Sequence, residues 1–222
     1  MSFIDEMKKK HASIEDAIFH HPFVRGIGDG SLPVDNFKFY MKQDYVYLID
    51  YTHIFSIAVT RTPDLDIKGK FAELLDVTLN TEMALHRSYA EEFGITNEEM
   101  EATEPAPTTR AYVNYLLRVA YEGSLAEILA SLLPCQLGYA EIGKDLARQG
   151  KPKKQPLYGK WIDTYSSEEF CALAYWLKDL CDELAEDSGK KELKRMDTHY
   201  LMAARYEYMF WEMSYRLEKW PI

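Results

Sequence analysis

The chain has little positive charge: 26 Lys and Arg stand against 36 Asp and Glu in 222 residues, a formal net charge of -10. Nucleic acid or an anionic membrane surface as a main partner calls for a basic patch, so the charge argues against both. The nearest approach to a patch, KPKK at Lys151 to Lys154, reads as a solvated connection. Long apolar runs are missing too. No segment nears the ~20 apolar residues of a membrane span, and the opening MSFIDEMKKK has no apolar core for export, so a cytoplasmic location is expected.

Cysteine is scarce, with 3 in the chain and no CxxC spacing, which excludes a zinc knuckle and a dithiol redox pair. Cys171 and Cys181 fall on one expected helix roughly 15 Å apart along its axis, too far for a disulfide. GIGDG, with Gly26, Gly28 and Gly30, reads as a loop; no β-branched strand precedes it, so it is not a phosphate cradle. Strand candidates, internal repeats and Ser/Gly-rich linkers are also lacking. The expectation is one all-α helical bundle spanning residues 1–222 as a single domain.

What is present is apolar spacing at three- and four-residue steps. Ser2 caps a first helix carrying Ile4, Met7, His11, Ile14 and Ile18 and ending before Pro22. A long helix from Asp35 to about Arg61 follows, then one from about Ile67 to Phe93 closed by Gly94. Thr108 is expected to cap the next, which carries Tyr112 and ends at Gly123. Ser124 caps the helix that runs to Gly150, and a short one spans Tyr158 to Tyr165. Ser166 and Glu169 form an expected capping box for the helix with Leu177 and Leu184, and a last helix runs from Lys190 to about Lys219.

Two of these helices carry an acid where their apolar stripe faces the core. Asp44 is four residues after Tyr40 and three before Tyr47; Glu207 is three before Phe210 and four before Trp211. Acids are rarely buried without a partner, so each one borders a cavity or is paired. A third unusual position is Cys135, directly after Pro134. Proline cannot donate to Ala130 and disfavours helical dihedrals at Leu133, so the helix is expected to kink or restart there. A restart puts Cys135 in an opening turn, where unpaired N–H groups favour a thiolate. The alternative is a small core hydrophobe at a kink.

Aromatic residues surround these groups: Tyr47, Tyr112, Tyr139, Tyr165 and Phe210 sit at them or one turn away. Stacking walls with a carboxylate or two suit a flat heteroaromatic ligand, although 16 tyrosines in one chain must mostly be packing. No metal or redox cofactor is required.

The runs YMKQDYVYL (Tyr40 to Leu48), LLPCQLGYAEIG (Leu132 to Gly143), WIDTYSSEEF (Trp161 to Phe170) and YEYMFWEMSY (Tyr206 to Tyr215) resemble those of the TenA family across essentially the whole chain. The resemblance implies a haem-oxygenase-like helical fold, a homotetramer, and thiaminase II or aminopyrimidine aminohydrolase activity without a cofactor. It implies Cys135 as nucleophile, Glu207 as acid/base, and Asp44 as the carboxylate that binds a ring nitrogen and the exocyclic amino group. Tyr47, Tyr112, Tyr139, Tyr165 and Phe210 correspond to positions lining the pyrimidine. The expected reaction is hydrolysis of 4-amino-5-aminomethyl-2-methylpyrimidine to the hydroxymethyl pyrimidine and ammonia, with thiamin cleavage as a related activity.

Two other readings compete. A metal-dependent oxidase on this scaffold would draw on Glu82, His86 and Glu141, but such sites normally take more than one imidazole. A regulator or a haem or ligand carrier would need an axial ligand for haem, for which His20, His21 and His53 are candidates.

Overall fold

The computed structural model describes residues 2–222, the side chains of Thr81 and Leu85 excepted. Helices α1 (Phe3–Lys10), α2 (Ala12–Phe19), α3 (Pro22–Asp29) and α4 (Val34–Thr60) come first. They are followed by α5 (Leu65–Val77), a π-helical turn (Thr78–Glu82), α6 (Met83–Glu92), α7 (Asn97–Glu101) and α8 (Pro107–Glu122). The remainder is α9 (Leu125–Gln149), α10 (Pro156–Ser166), α11 (Glu168–Glu186) and α12 (Lys190–Arg216). No strand occurs among the described residues. The chain divides into two compact units, the first made of Met1–Pro33 and Leu129–Tyr215, the second of Val34–Ile128 and Arg216–Ile222.

The second unit is organised on α4, which packs against α5, α6, α7 and α8. The stripe read from the sequence is the buried one: Phe37, Tyr40, Tyr51, Ile54 and Phe55 are all but inaccessible. Burying each of these side chains stabilises the unit by about 1.5–3 kcal/mol. Gln43 fastens the start of α8 to α4. Its Oε1 accepts from the Ala106 N–H at 2.9 Å and the Thr109 hydroxyl at 2.7 Å, while its Nε2 donates to the Glu104 carbonyl at 3.1 Å.

In the first unit α1 packs on α11, α10 on α3 and α11, and α2 on α3. Phe23 stacks on Trp211, with ring centroids 5.3 Å apart. His21 holds the start of α3: its Nδ1 accepts from the Phe23 N–H at 3.1 Å and its Nε2 lies 3.1 Å from Glu212. Ser2 caps α1 as expected, through the Asp5 N–H.

Several local expectations are corrected. Gly26 and Gly28 are helical, not loop: a Cβ on Gly26 would come within 3.0 Å of the Leu32 nitrogen, and one on Gly28 within 2.7 Å of Leu146 Cδ2. They are close-approach residues, and only Gly30, with φ +76°, supplies the left-handed cap. The first expected helix is two, broken at His11, whose Nε2 is 2.7 Å from Asp197. The capping of α8 falls to Ala106 with Pro107 at the first turn, and that of α11 to Ser167, one residue beyond the expected Ser166. The short helix α7, with a Thr96–Glu99 capping box, occupies part of what reads as a connection.

Pro134 lies inside α9, which runs unbroken from Leu125 to Gln149, so no restart places Cys135 in an opening turn. The lost hydrogen bond is tolerated because Ile128, Leu129, Ala130, Leu132 and Leu133 are all buried, and their packing holds the helix across the proline. Cys135 therefore lies mid-helix, without the unpaired N–H groups of a helix start.

Candidate active site

In the second unit, Asp44 is buried on α4 and paired rather than exposed to a void alone. His86 Nε2 lies 2.8 Å from its Oδ2, and the Tyr40 hydroxyl donates to the same oxygen at 3.4 Å. His86 Nδ1 is 3.2 Å from the Glu82 backbone carbonyl. Burial drives the Glu82 carboxyl above its ordinary value, with the Asp44 charge adding to the effect and His86 opposing it. Burial pulls the His86 imidazole down, but the hydrogen bond to Asp44 and the charges of Asp44 and Glu82 outweigh it and leave His86 above its ordinary value.

One turn along α4 the wall turns aromatic. Tyr47 stacks on Tyr51 at 5.4 Å and meets Tyr112 of α8 at 5.3 Å, all three buried. These are spacings at which rings attract beyond simple burial. Gln43, through Ala106 and Thr109, ties α4 to the first turn of α8, the helix that carries Tyr112.

In the first unit, Cys135 is the half-buried cysteine; Cys171 and Cys181 are buried. Burial pushes the Cys181 thiol far above its ordinary value, consistent with an inert core group. One turn after Cys135, Tyr139 meets Tyr165 at 4.8 Å, Trp211 at 5.1 Å and Trp161 at 5.9 Å. Gly143 makes this cluster possible. A Cβ there would lie 2.6 Å from the Tyr165 carbonyl carbon and 2.8 Å from the Ser166 nitrogen, so α9 and the end of α10 touch backbone to backbone. Glu207 and Phe210 are both buried on α12, beside Trp211 in sequence.

The structure thus joins Tyr47 to Tyr112 in one unit and Tyr139 to Tyr165 in the other, and gives Asp44 a histidine partner. Sequence reading missed His86 as that partner, and missed Gly143 and Gln43 as framing residues. The signal for His86 was its four-residue spacing from Glu82, which reads as a structural pair in preference to a metal pair. Of the groups in the competing readings, Glu141 pairs with Lys8, and both nitrogens of His21 are engaged. His20 Nδ1 contacts Asp16. Among the described residues no three His, Cys, Asp or Glu gather as a metal site, and no helix is long and apolar enough to cross a membrane.

Residues 8–217 match the model of the TENA/THI-4/PQQC family. An aminopyrimidine aminohydrolase of Halalkalibacterium halodurans is 46% identical over 220 residues, covering 99% of this chain and 98% of that protein. Among solved structures, a TenA family transcription regulator from a Silicibacter species superposes with TM-score 0.90 at 30% identity, over 96% of each chain. A domain of unknown function with a heme oxygenase-like fold from Shewanella denitrificans has TM-score 0.76 at 14% identity, over 96% of this chain and 92% of that one. At that identity the likeness speaks for the fold, which is the expected haem-oxygenase-like one.

Proposed function

Because the chain belongs to the TENA/THI-4/PQQC family, we propose that it is an aminopyrimidine aminohydrolase of the thiaminase II type, acting in thiamin salvage. The observation that carries this is the near full-length similarity to a protein named for that activity. The substrate is 4-amino-5-aminomethyl-2-methylpyrimidine, and the products are the hydroxymethyl pyrimidine and ammonia. Thiamin is cleaved to the same pyrimidine and the thiazole alcohol.

Cys135 is the nucleophile. Its sulfur forms a bond to a ring carbon, and the displaced electron pair goes to a ring nitrogen, which takes a proton from Glu207. The bond from the exocyclic methylene to nitrogen then breaks as the proton held by the ring passes back through Glu207 to the leaving nitrogen, which departs as ammonia. Water adds to the methylene, its proton returns to Glu207, and the ring–sulfur bond breaks to release Cys135. Half-burial of Cys135 supports the role, since a sealed thiol has no access to a ligand. Asp44 binds the exocyclic amino group and a ring nitrogen, and Tyr47, Tyr112, Tyr139, Tyr165 and Phe210 line the ring. The protein is a cytoplasmic homotetramer, as the family resemblance implies.

The test is ammonia release from the aminopyrimidine by wild type, Cys135→Ser and Glu207→Gln. Turnover by wild type with loss of about 100-fold or more in both variants is expected. Wild-type turnover by Cys135→Ser refutes covalent catalysis, and light scattering of the purified protein checks the tetramer.

A further inference from the structure

The pairing of Asp44 with His86 has a chemical consequence that its spacing in the sequence does not disclose. The π-helical turn Thr78–Glu82, where the Met83 N–H bonds to the Thr78 carbonyl five residues back, shifts the register of the chain just ahead of α6. His86, four residues into α6, sets one ring nitrogen on Asp44 Oδ2 at 2.8 Å and the other on the Glu82 carbonyl at 3.2 Å. A backbone carbonyl can only accept, and so can an ionised carboxylate. Both ring nitrogens therefore carry protons when Asp44 is ionised, which makes the side chain an imidazolium.

Among the described residues both hydrogen bonds to Asp44, from His86 and from Tyr40, end on Oδ2. The charged groups that face His86 are Asp44 on α4 and Glu82 on the π-helical turn, and both act against the effect of its burial. The acids of α7, the other element packed on α6, are Glu98, Glu99 and Glu101, and all three are exposed. We propose that His86 is a positioning residue for substrate binding: it ties Asp44 Oδ2, holds the carboxylate in one orientation, and so presents Oδ1 to the exocyclic amino group of the pyrimidine. This rests on the reading of Asp44 as the carboxylate that binds the pyrimidine. The metal reading of Glu82 and His86 is replaced by a hydrogen-bond relay within one unit.

The experiment measures KM and kcat for ammonia release by the full chain in wild type, His86→Gln, His86→Leu, Asp44→Asn and the Asp44→Asn/His86→Leu double variant. Losing a hydrogen bond to a charged group raises KM about 10- to 100-fold in His86→Leu, with kcat falling much less. His86→Gln, which keeps an N–H donor without the charge, recovers most of that loss, and the double variant is no worse than Asp44→Asn. Wild-type KM in both His86 variants, or losses that multiply in the double variant, overturns the inference. Should His86→Leu not fold, the Gln variant and the nitrogen-15 NMR spectrum of wild-type histidines decide. Two protonated nitrogens on His86 at pH 7 are expected, and one neutral tautomer overturns it. A wild type that turns over while Cys135→Ser is dead and His86 variants are unaffected refutes this inference alone. A wild type that releases no ammonia refutes the underlying reading and this inference with it.

Discussion

Gly143→Ala should loosen the contact that seats Tyr165 beside Tyr139. The new methyl carbon would lie 2.6 Å from the Tyr165 carbonyl carbon and 2.8 Å from the Tyr165 oxygen and the Ser166 nitrogen. Ordinary contact between carbons is about 3.5–4.0 Å, so α9 and the end of α10 must separate by roughly 1 Å, and backbone cannot swing aside as a side chain can. Overpacking of this kind costs about 1–3 kcal/mol. Exchanging Gly for Ala within a helix returns about 0.5–1 kcal/mol, so a net loss of about 1–2 kcal/mol is expected. For a chain of this size that lowers Tm by about 2–8 °C. Gly138→Ala in the same helix is the control. Nothing lies within 4 Å of a Cβ at Gly138, so only the propensity gain operates and stability should rise. Calorimetry and urea unfolding of the two variants read the difference directly. If Gly143→Ala is as stable as Gly138→Ala, the backbone contact between α9 and α10 is wrong. Because Tyr165 moves with the end of α10, KM for the aminopyrimidine should rise in Gly143→Ala while the reactive groups stay intact.

His21 gives the protein an acid-sensitive component of stability. Burial lowers its imidazole, with Glu212 opposing, and its Nδ1 must stay unprotonated to accept the Phe23 N–H. The unfolded chain, with an ordinary value of about 6.5, binds the proton more readily, so this stabilisation is present above about pH 6.5 and lost as pH falls below it. Melting curves between pH 7.5 and 5 should therefore slope more steeply in wild type than in His21→Asn, and equal slopes would contradict the assignment. Limiting iodoacetamide should modify Cys135 first, since Cys171 and Cys181 are buried. Peptide mapping that finds either buried cysteine labelled ahead of Cys135 would overturn the placement of α9.

Helical periodicity was enough to place Asp44 and Glu207 on buried faces, because a helix stripe is a local property of spacing and both acids lie squarely within theirs. Four separated runs of residues sufficed for the family, and with it for the haem-oxygenase-like fold. What lies across from each stripe is not a local property. Only the tertiary structure decided that Pro134 sits in an unbroken α9, because the packing of buried neighbours overrides the dihedral preference of one residue. Only it decided that Gly28 and Gly143 serve close contacts with Leu146 and Tyr165, residues well separated in the chain, and that Gly26 and Gly28 are helical where the GIGDG pattern alone suggests a loop. It also decided that His86 meets Asp44, 42 residues away, since that contact depends on a π-helical turn whose extra residue leaves no mark on the apolar period. Spacing within a helix fixes which way a side chain faces. The partner it finds depends on contacts that no single helix contains.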